Sequence, residues 1–174
     1  MPNWCMNRLT LTANTPEAVA LLDAIVAANG KELFNVLRPM PPNIFRGNLG
    51  AAEREMYGAN NWYDWGVSNW GCKWDTDADT WDRNGNVMSL NYDTPWSPPI
   101  ELYSYLVENG FSVDAGYYEP GMDFAGTWVD GEDCIENNIS DAARRDESEW
   151  TDFQAELIED WGIAEMVAEM EEDA

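Results

Sequence analysis

The chain contains no histidine. That absence removes Ser–His and Cys–His nucleophile pairs, histidine general bases and every histidine-ligated metal site. Cysteine is scarce as well: Cys5, Cys72 and Cys134 lie far apart, odd in number and without a CxxC pair. That spacing argues against a disulfide framework and a zinc ribbon, and predicts reduced thiols in a cytosolic protein. No apolar run reaches the roughly 18 residues of a membrane helix. The opening residues Met1-Pro2-Asn3-Trp4-Cys5 lack a basic stretch followed by an apolar one, so no secretory signal is expected. No glycine-rich phosphate loop is present. Cations are few: 9 Lys+Arg stand against 33 Asp+Glu, a formal net charge of -24.

The imbalance has a location. Residues 1–118 hold 14 acids and 7 bases (14 - 7 = 7 net negative), whereas residues 119–174 hold 19 acids and 2 bases (19 - 2 = 17). Arg144 and Arg145 are the only cations of that last third. Such a surface repels nucleic acid and anionic lipid and attracts basic partners. Hydrophobic residues make up 45% of the chain and ten are Trp, enough for a folded core rather than a disordered acidic tail.

Periodicity gives the element order. Leu9 and Leu11 alternate with Arg8, Thr10 and Thr12 as a strand within residues 3–12. Thr15 and Pro16 open a helix near 16–28, with Ala18, Leu21, Leu22, Ile25 and Val26 on its apolar face and Asn29-Gly30 at its end. Residues 31–58 read as an irregular insertion, with Pro39, Pro41 and Pro42 against regular structure and a short helix over Ala51–Tyr57. Alternation predicts strands at 73–80 and 86–93 about an Asn84-Gly85 turn. A second helix follows near 98–109 with Ser97 as its cap, then a strand at 111–118. Residues 123–129 and 134–137 form a further hairpin around Gly131. Trp150, Phe153, Leu157, Trp161, Ala164 and Val167 then trace one acidic C-terminal helix.

The order β-α-β-β-α-β predicts an α+β fold: a ferredoxin-like, split βαβ antiparallel sheet with both helices on one face. The division expected is a domain over 1–137, with an insertion at 31–72, and an acidic helical extension over 138–174.

Four landmarks carry a resemblance. They are Met1-Pro2-Asn3-Trp4-Cys5-x-Asn7-x-Leu9, Trp65-x-x-x-Asn69-Trp70-Gly71-x-Lys73-Trp74-Asp75, Thr94-x-Trp96-Ser97-Pro98-Pro99 and Tyr118-Glu119-x-Gly121-x-x-Phe124-x-Gly126. Over about residues 1–130 the chain resembles the Api-type family of phage- and plasmid-encoded proteins, which carry a ferredoxin-like domain of unknown function. It departs at Cys72, where that family has Thr, and at Pro95, where it has Ala. The resemblance implies a fold and a mobile-element origin, and it transfers no catalytic residue.

Candidate sites follow from charge and aromatics. The first is the acidic face of the C-terminal helix, with Glu147, Glu149, Asp152, Glu156, Glu159 and Asp160 outward and Trp150, Phe153, Leu157 and Trp161 inward. This face suits a basic host protein, a nuclease or a restriction or CRISPR component in the host cytoplasm, occupying its groove as a DNA mimic does. The implied role is an anti-defence inhibitor that works without an enzyme activity, a cofactor, direct nucleic-acid binding or a membrane. The second is a ligand cage of Trp62, Trp65, Trp70 and Trp74, against the alternative that they are core. The third is a metal-dependent enzyme using Asp75, Asp77 and Asp79 on one strand face; an EF-hand is a poor fit there, because Thr80 and Asn86 stand where Gly and Glu belong. No metal is expected, and a solvated strand face is the preferred reading of those three. Glu119 with Asp123 beside Tyr117-Tyr118, and Arg144-Arg145, read as turn chemistry and helix tethers.

Overall fold

The structure, a computed structural model, describes residues 3–172. Met1 and Pro2 of the first landmark lie outside them, as do Asp173 and Ala174 at the end of the acidic extension. Six strands form one sheet: β1 (Trp4–Ala13), β2 (Thr80–Asn84), β3 (Val87–Pro95), β4 (Phe111–Glu119), β5 (Phe124–Val129) and β6 (Glu132–Asn137). Their spatial order is β2-β3-β1-β4-β5-β6, and every neighbouring pair is antiparallel. The helices are α1 (Pro16–Ala27), α2 (Leu33–Leu37), α3 (Ala51–Tyr57), α4 (Trp62–Asn69), α5 (Ile100–Glu108), α6 (Ile139–Ala143), α7 (Asp152–Trp161) and α8 (Ile163–Glu172).

Strand alternation sorts the side chains into two cores. Cys5, Leu9, Leu11, Phe111, Val113, Ala115, Tyr117 and Trp128 face one way and pack with Ala18, Leu22 and Ile25 of α1 and Leu102, Tyr103 and Leu106 of α5. Both of those helices therefore cover the same face. The opposite face presents Tyr118 and Ala125, which pack with Ile139, Ala142, Leu157, Ile158, Ile163 and Val167. Helices α6–α8 are thus a third layer on the reverse of the sheet.

Local chemistry sets several boundaries. The Thr15 hydroxyl accepts from the Ala18 amide at 3.2 Å, with Pro16 as the first residue of α1. The Asn61 side chain caps α4 by accepting from the Tyr63 and Asp64 amides. Asp130 and Gly131, both at positive φ, make the two-residue turn between β5 and β6.

Five expectations change. Residues 73–79 are not a strand; β2 begins at Thr80 because the preceding aspartates give their oxygens to other backbone amides. The β2–β3 turn is Gly85-Asn86, one residue later than expected, since Asn84 pairs with Val87 and Gly85 takes φ +62. Ser97 does not cap α5: its carbonyl accepts the Thr94 hydroxyl, and Pro99 holds the cap position without a side-chain bond. The terminal apolar stripe is two helices rather than one, because Gly162 adopts φ +62 and ends α7 in a left-handed cap. The insertion is also more regular than its prolines suggest: Leu33, Phe34 and Leu37 of α2 are buried in the main core.

Candidate functional site

The third layer is built from the sheet outward. Trp150 donates its indole N–H to the Ala142 carbonyl at 2.7 Å. Thr151 and Gln154 form a reciprocal capping box that starts α7. The Gln154 amide also reaches the Glu136 carboxylate at 2.7 Å, fixing the helix to β6. Leu157 is buried, while Trp150, Phe153 and Trp161 are half-buried against the same cluster. The Arg8 guanidinium of β1 lies 4.4 Å from the centre of the Trp161 ring, a cation–π contact between sheet and helix.

With that apolar side turned inward, Glu147, Glu149, Asp152, Glu156, Glu159 and Asp160 are all exposed. Residues 139–172 carry 12 acids and 2 bases (12 - 2 = 10 net negative). The two arginines are already engaged. Arg144 pairs with Glu171 at 2.9 Å and with Asp141 at 3.2 Å. Arg145 donates to the Asp141 carbonyl at 3.3 Å. Among the described residues, none of the six carboxylates is in an ion pair. Glu156 and Asp160 share the rim of a cleft of about 240 Å³ with Arg8, Asp114 and Trp161. The layer is therefore docked on the sheet by its apolar side, and most of its negative charge is left without an ion-pair partner among the described residues.

The tryptophans divide. Trp70 is buried, donates to the Arg38 carbonyl at 3.0 Å and meets Trp65 edge-on at 5.1 Å, so those two belong to the core side. Trp62, Trp70 and Trp74 line a cleft of about 230 Å³ with Met40, Asn35 and Asp75; Trp65 does not line it. Sequence reading missed the occupant of the neighbouring cage. The Lys73 ammonium sits 4.1 Å from the ring centres of both Trp74 and Trp96. The protein's own lysine thus takes the place an external cation would need.

Asp75, Asp77 and Asp79 do not converge. The Asp75 carboxylate accepts from the amides of Phe34 (2.8 Å), Asn35 (3.2 Å) and Thr76 (2.8 Å). It caps α2, whose own N-cap residue Glu32 makes no side-chain bond. Its carboxyl is raised above the ordinary aspartate value, first by burial, with the three amide bonds acting against that. Asp77 accepts from the Glu32 amide at 2.9 Å and from Lys31 at 2.7 Å, and the lysine bond lowers its pKa. Asp79 is exposed. Among the described residues no three acidic or thiol side chains cluster as metal ligands. Glu119 is fully buried and accepts from the Gly121 and Met122 amides, and Asp123 accepts from both the amide and hydroxyl of Ser140. Both hold turns.

No helix among the described residues is long and apolar enough to cross a membrane. No protein-family model matches the chain, and no curated protein matches it. Among solved structures, protein api92 from Yersinia pseudotuberculosis, of the family DUF1281, aligns with a TM-score of 0.46 at 12% identity. The alignment covers 79% of this chain and 98% of that one.

Proposed function

We propose that the protein is an acidic binding protein of mobile-element origin that inhibits a basic, nucleic-acid-binding host protein through the α6–α8 layer. In this reading the core is a ferredoxin-like domain of the Api type, extended by β5, β6 and the acidic helices. The observation that carries it is the charge balance of that layer: six exposed carboxylates that are in no ion pair among the described residues, against two arginines of which Arg144 is already paired with Glu171 and Asp141. A groove shaped for phosphates is lined by Lys and Arg, and carboxylates spread over a folded surface can neutralise it without nucleic acid. Long-range attraction speeds the encounter, and salt weakens it, because the screening length is about 10 Å at 0.1 M and about 3 Å at 1 M. A nuclease, or a restriction or CRISPR component in the host cytoplasm, has the required groove.

The test compares the wild type with the triple reversal Glu156→Lys, Glu159→Lys, Asp160→Lys. Each is immobilised and used to capture host proteins at low and high salt, and the association rate of each captured species is then measured. The reversal slows association and flattens its salt dependence while leaving the circular dichroism spectrum intact. Equal capture, equal rates and equal salt dependence would reduce the acidic layer to a solubility device.

A further inference from the structure

The sheet has one unprotected edge on its acidic side. Strand β6 pairs with β5 alone and ends the sheet. Val129 and Glu132 flank the two-residue turn and form its closing pair, so the backbone N–H and C=O groups of Asp133, Ile135 and Asn137 point away from β5. Protein edges are ordinarily blunted by charged side chains, proline, a bulge or a covering element. The sequence of β6, Glu-Asp-Cys-Ile-Glu-Asn, has no proline and charges of one sign only, so it turns away acidic strands and leaves the edge open to a basic one.

Beside this edge, on the α5 side, lies a groove of about 410 Å³. Its apolar lining comes from Val67, Pro98, Ile100, Phe124 and Ile135, with Tyr117 beneath. Ile135 is 50% exposed and Val67 43%, apolar surface left open beside the free edge. Two carboxylates border it: Glu101, and Asp133, which the Tyr117 hydroxyl holds in place by donating at 2.6 Å. The other face of β6 carries Glu132 and Glu136 on either side of Cys134.

We propose that β6 and this groove accept an extended basic segment of the partner as a seventh strand. This rests on the reading above that the partner is basic, and names a second surface it uses. Backbone bonds to Asp133, Ile135 and Asn137 supply the pairing, and side chains alternate between the two faces. Those toward Ile135 and Phe124 are apolar; those on the other face are Lys or Arg, opposite Glu132 and Glu136. Charge also disfavours a second copy of this chain on the same edge, because two β6 strands would bring six carboxylates and no cation together.

The probe is the capped peptide acetyl-Lys-Val-Lys-Val-Lys-Val-Lys-amide, with glutamate in place of lysine as control, titrated into isotope-labelled full-length protein. The amide signals of Asp133, Ile135 and Asn137 shift, and their hydrogen exchange slows about tenfold or more at saturation. The control peptide does neither. Ile135→Pro removes one outward donor without touching the β5 ladder, and it weakens binding at least about tenfold. With the screening length cut to about 3 Å by 1 M salt, the triple reversal on α7 leaves this binding within about twofold, since those residues are not part of the edge. Shifts confined to α7 and lost in the triple reversal, with Ile135→Pro neutral, would overturn the edge site and leave the acidic-layer reading standing. Absence of any shift in the wild type at β6 would overturn it directly, whatever the proline variant does to folding.

Discussion

Replacing Asp75 with alanine separates a capping role from a metal-ligand role. The carboxylate satisfies the Phe34 and Asn35 amides at the start of α2 and the Thr76 amide beside it. Hydrogen bonds to a charged group contribute roughly 1.5–3 kcal/mol each, but here burial penalises the ionised form and offsets part of that gain. Loss of a helix cap alone costs about 0.5–2 kcal/mol. We expect Asp75→Ala to destabilise by about 2 kcal/mol, a fall of about 4–8 °C in melting temperature for a chain of this length. Asp75→Asn keeps the oxygen that faces Phe34 and Thr76 but turns an NH₂ toward the Asn35 amide, and it costs about 1 kcal/mol. The pH dependence has a definite sign. The folded pKa of Asp75 is raised above the unfolded value, so its contribution is fully present below the unfolded pKa and is lost as pH rises through the folded one. The advantage of the wild type over the non-titrating Asp75→Asn therefore narrows across that window. Urea titration followed by tryptophan fluorescence, repeated across pH, measures both. An alanine variant as stable as the wild type, or a melting temperature that climbs on adding millimolar Ca²⁺ or Mg²⁺ to the wild type but not to the variant, would refute the capping account.

Two further outcomes follow from burial. Trp161→Ala removes a half-buried indole that Arg8 covers at 4.4 Å and Tyr118 meets at 6.3 Å, so it costs about 2–3 kcal/mol, below the roughly 3–5 of a fully buried site; urea denaturation measures the cost, and a change under 1 kcal/mol (a bound set on the scale of surface substitutions, about 0.5) would mean the layer is not held there. Cys134 is exposed while Cys5 and Cys72 are buried, with burial pushing the Cys72 thiol up to about 12 and Cys5 higher still. A colorimetric thiol reagent near neutral pH therefore titrates Cys134 quickly in the native protein and the other two only in denaturant.

What the sequence made legible was whatever a short window decides. The Thr15-Pro16 start of α1 and the alternation of Leu9 and Leu11 each depend on a few adjacent residues, and each is where periodicity and cap chemistry put it; Gly131 lies in the β5–β6 turn as expected, but β6 begins at Glu132 rather than at Cys134, because the turn takes only Asp130 and Gly131. The failures share a cause. Alternating Trp74, Thr76 and Ala78 look like a strand, yet Asp75 is taken by α2, 41 residues earlier in the chain, and Asp77 by Lys31. A helix whose cap comes from so far away leaves no trace beside its own start. The same holds for the tryptophans: the window from Trp62 to Trp74 cannot show that Trp96 closes over Lys73 from the other side. Gly162 was visible but ambiguous, since one glycine inside a helical pattern is tolerated at about 1 kcal/mol. Its positive φ, set by the fold of α8 back along α6, decides the matter.

The two-sided sheet explains how so much negative charge is carried without unfolding the domain. Self-repulsion grows as like charges crowd together, and it is resisted only by apolar area buried nearby. The main core belongs to residues whose net charge is modest, and it sits on the face away from the acidic helices. The helices have their own core, from Tyr118 and Ala125 to Leu157, Ile163 and Val167, which opposes repulsion where it arises. Arg8 is the exception that joins them: a cation from the weakly charged part, placed on the sheet's reverse face over Trp161 and beside Glu156 and Asp160. Salt should therefore act in opposite directions on the two properties of this layer. Screening relieves repulsion among the carboxylates and firms the layer, and the same screening weakens its attraction for a basic partner. Stability that rises with ionic strength while association slows is the joint signature of a surface that keeps its charge for another molecule.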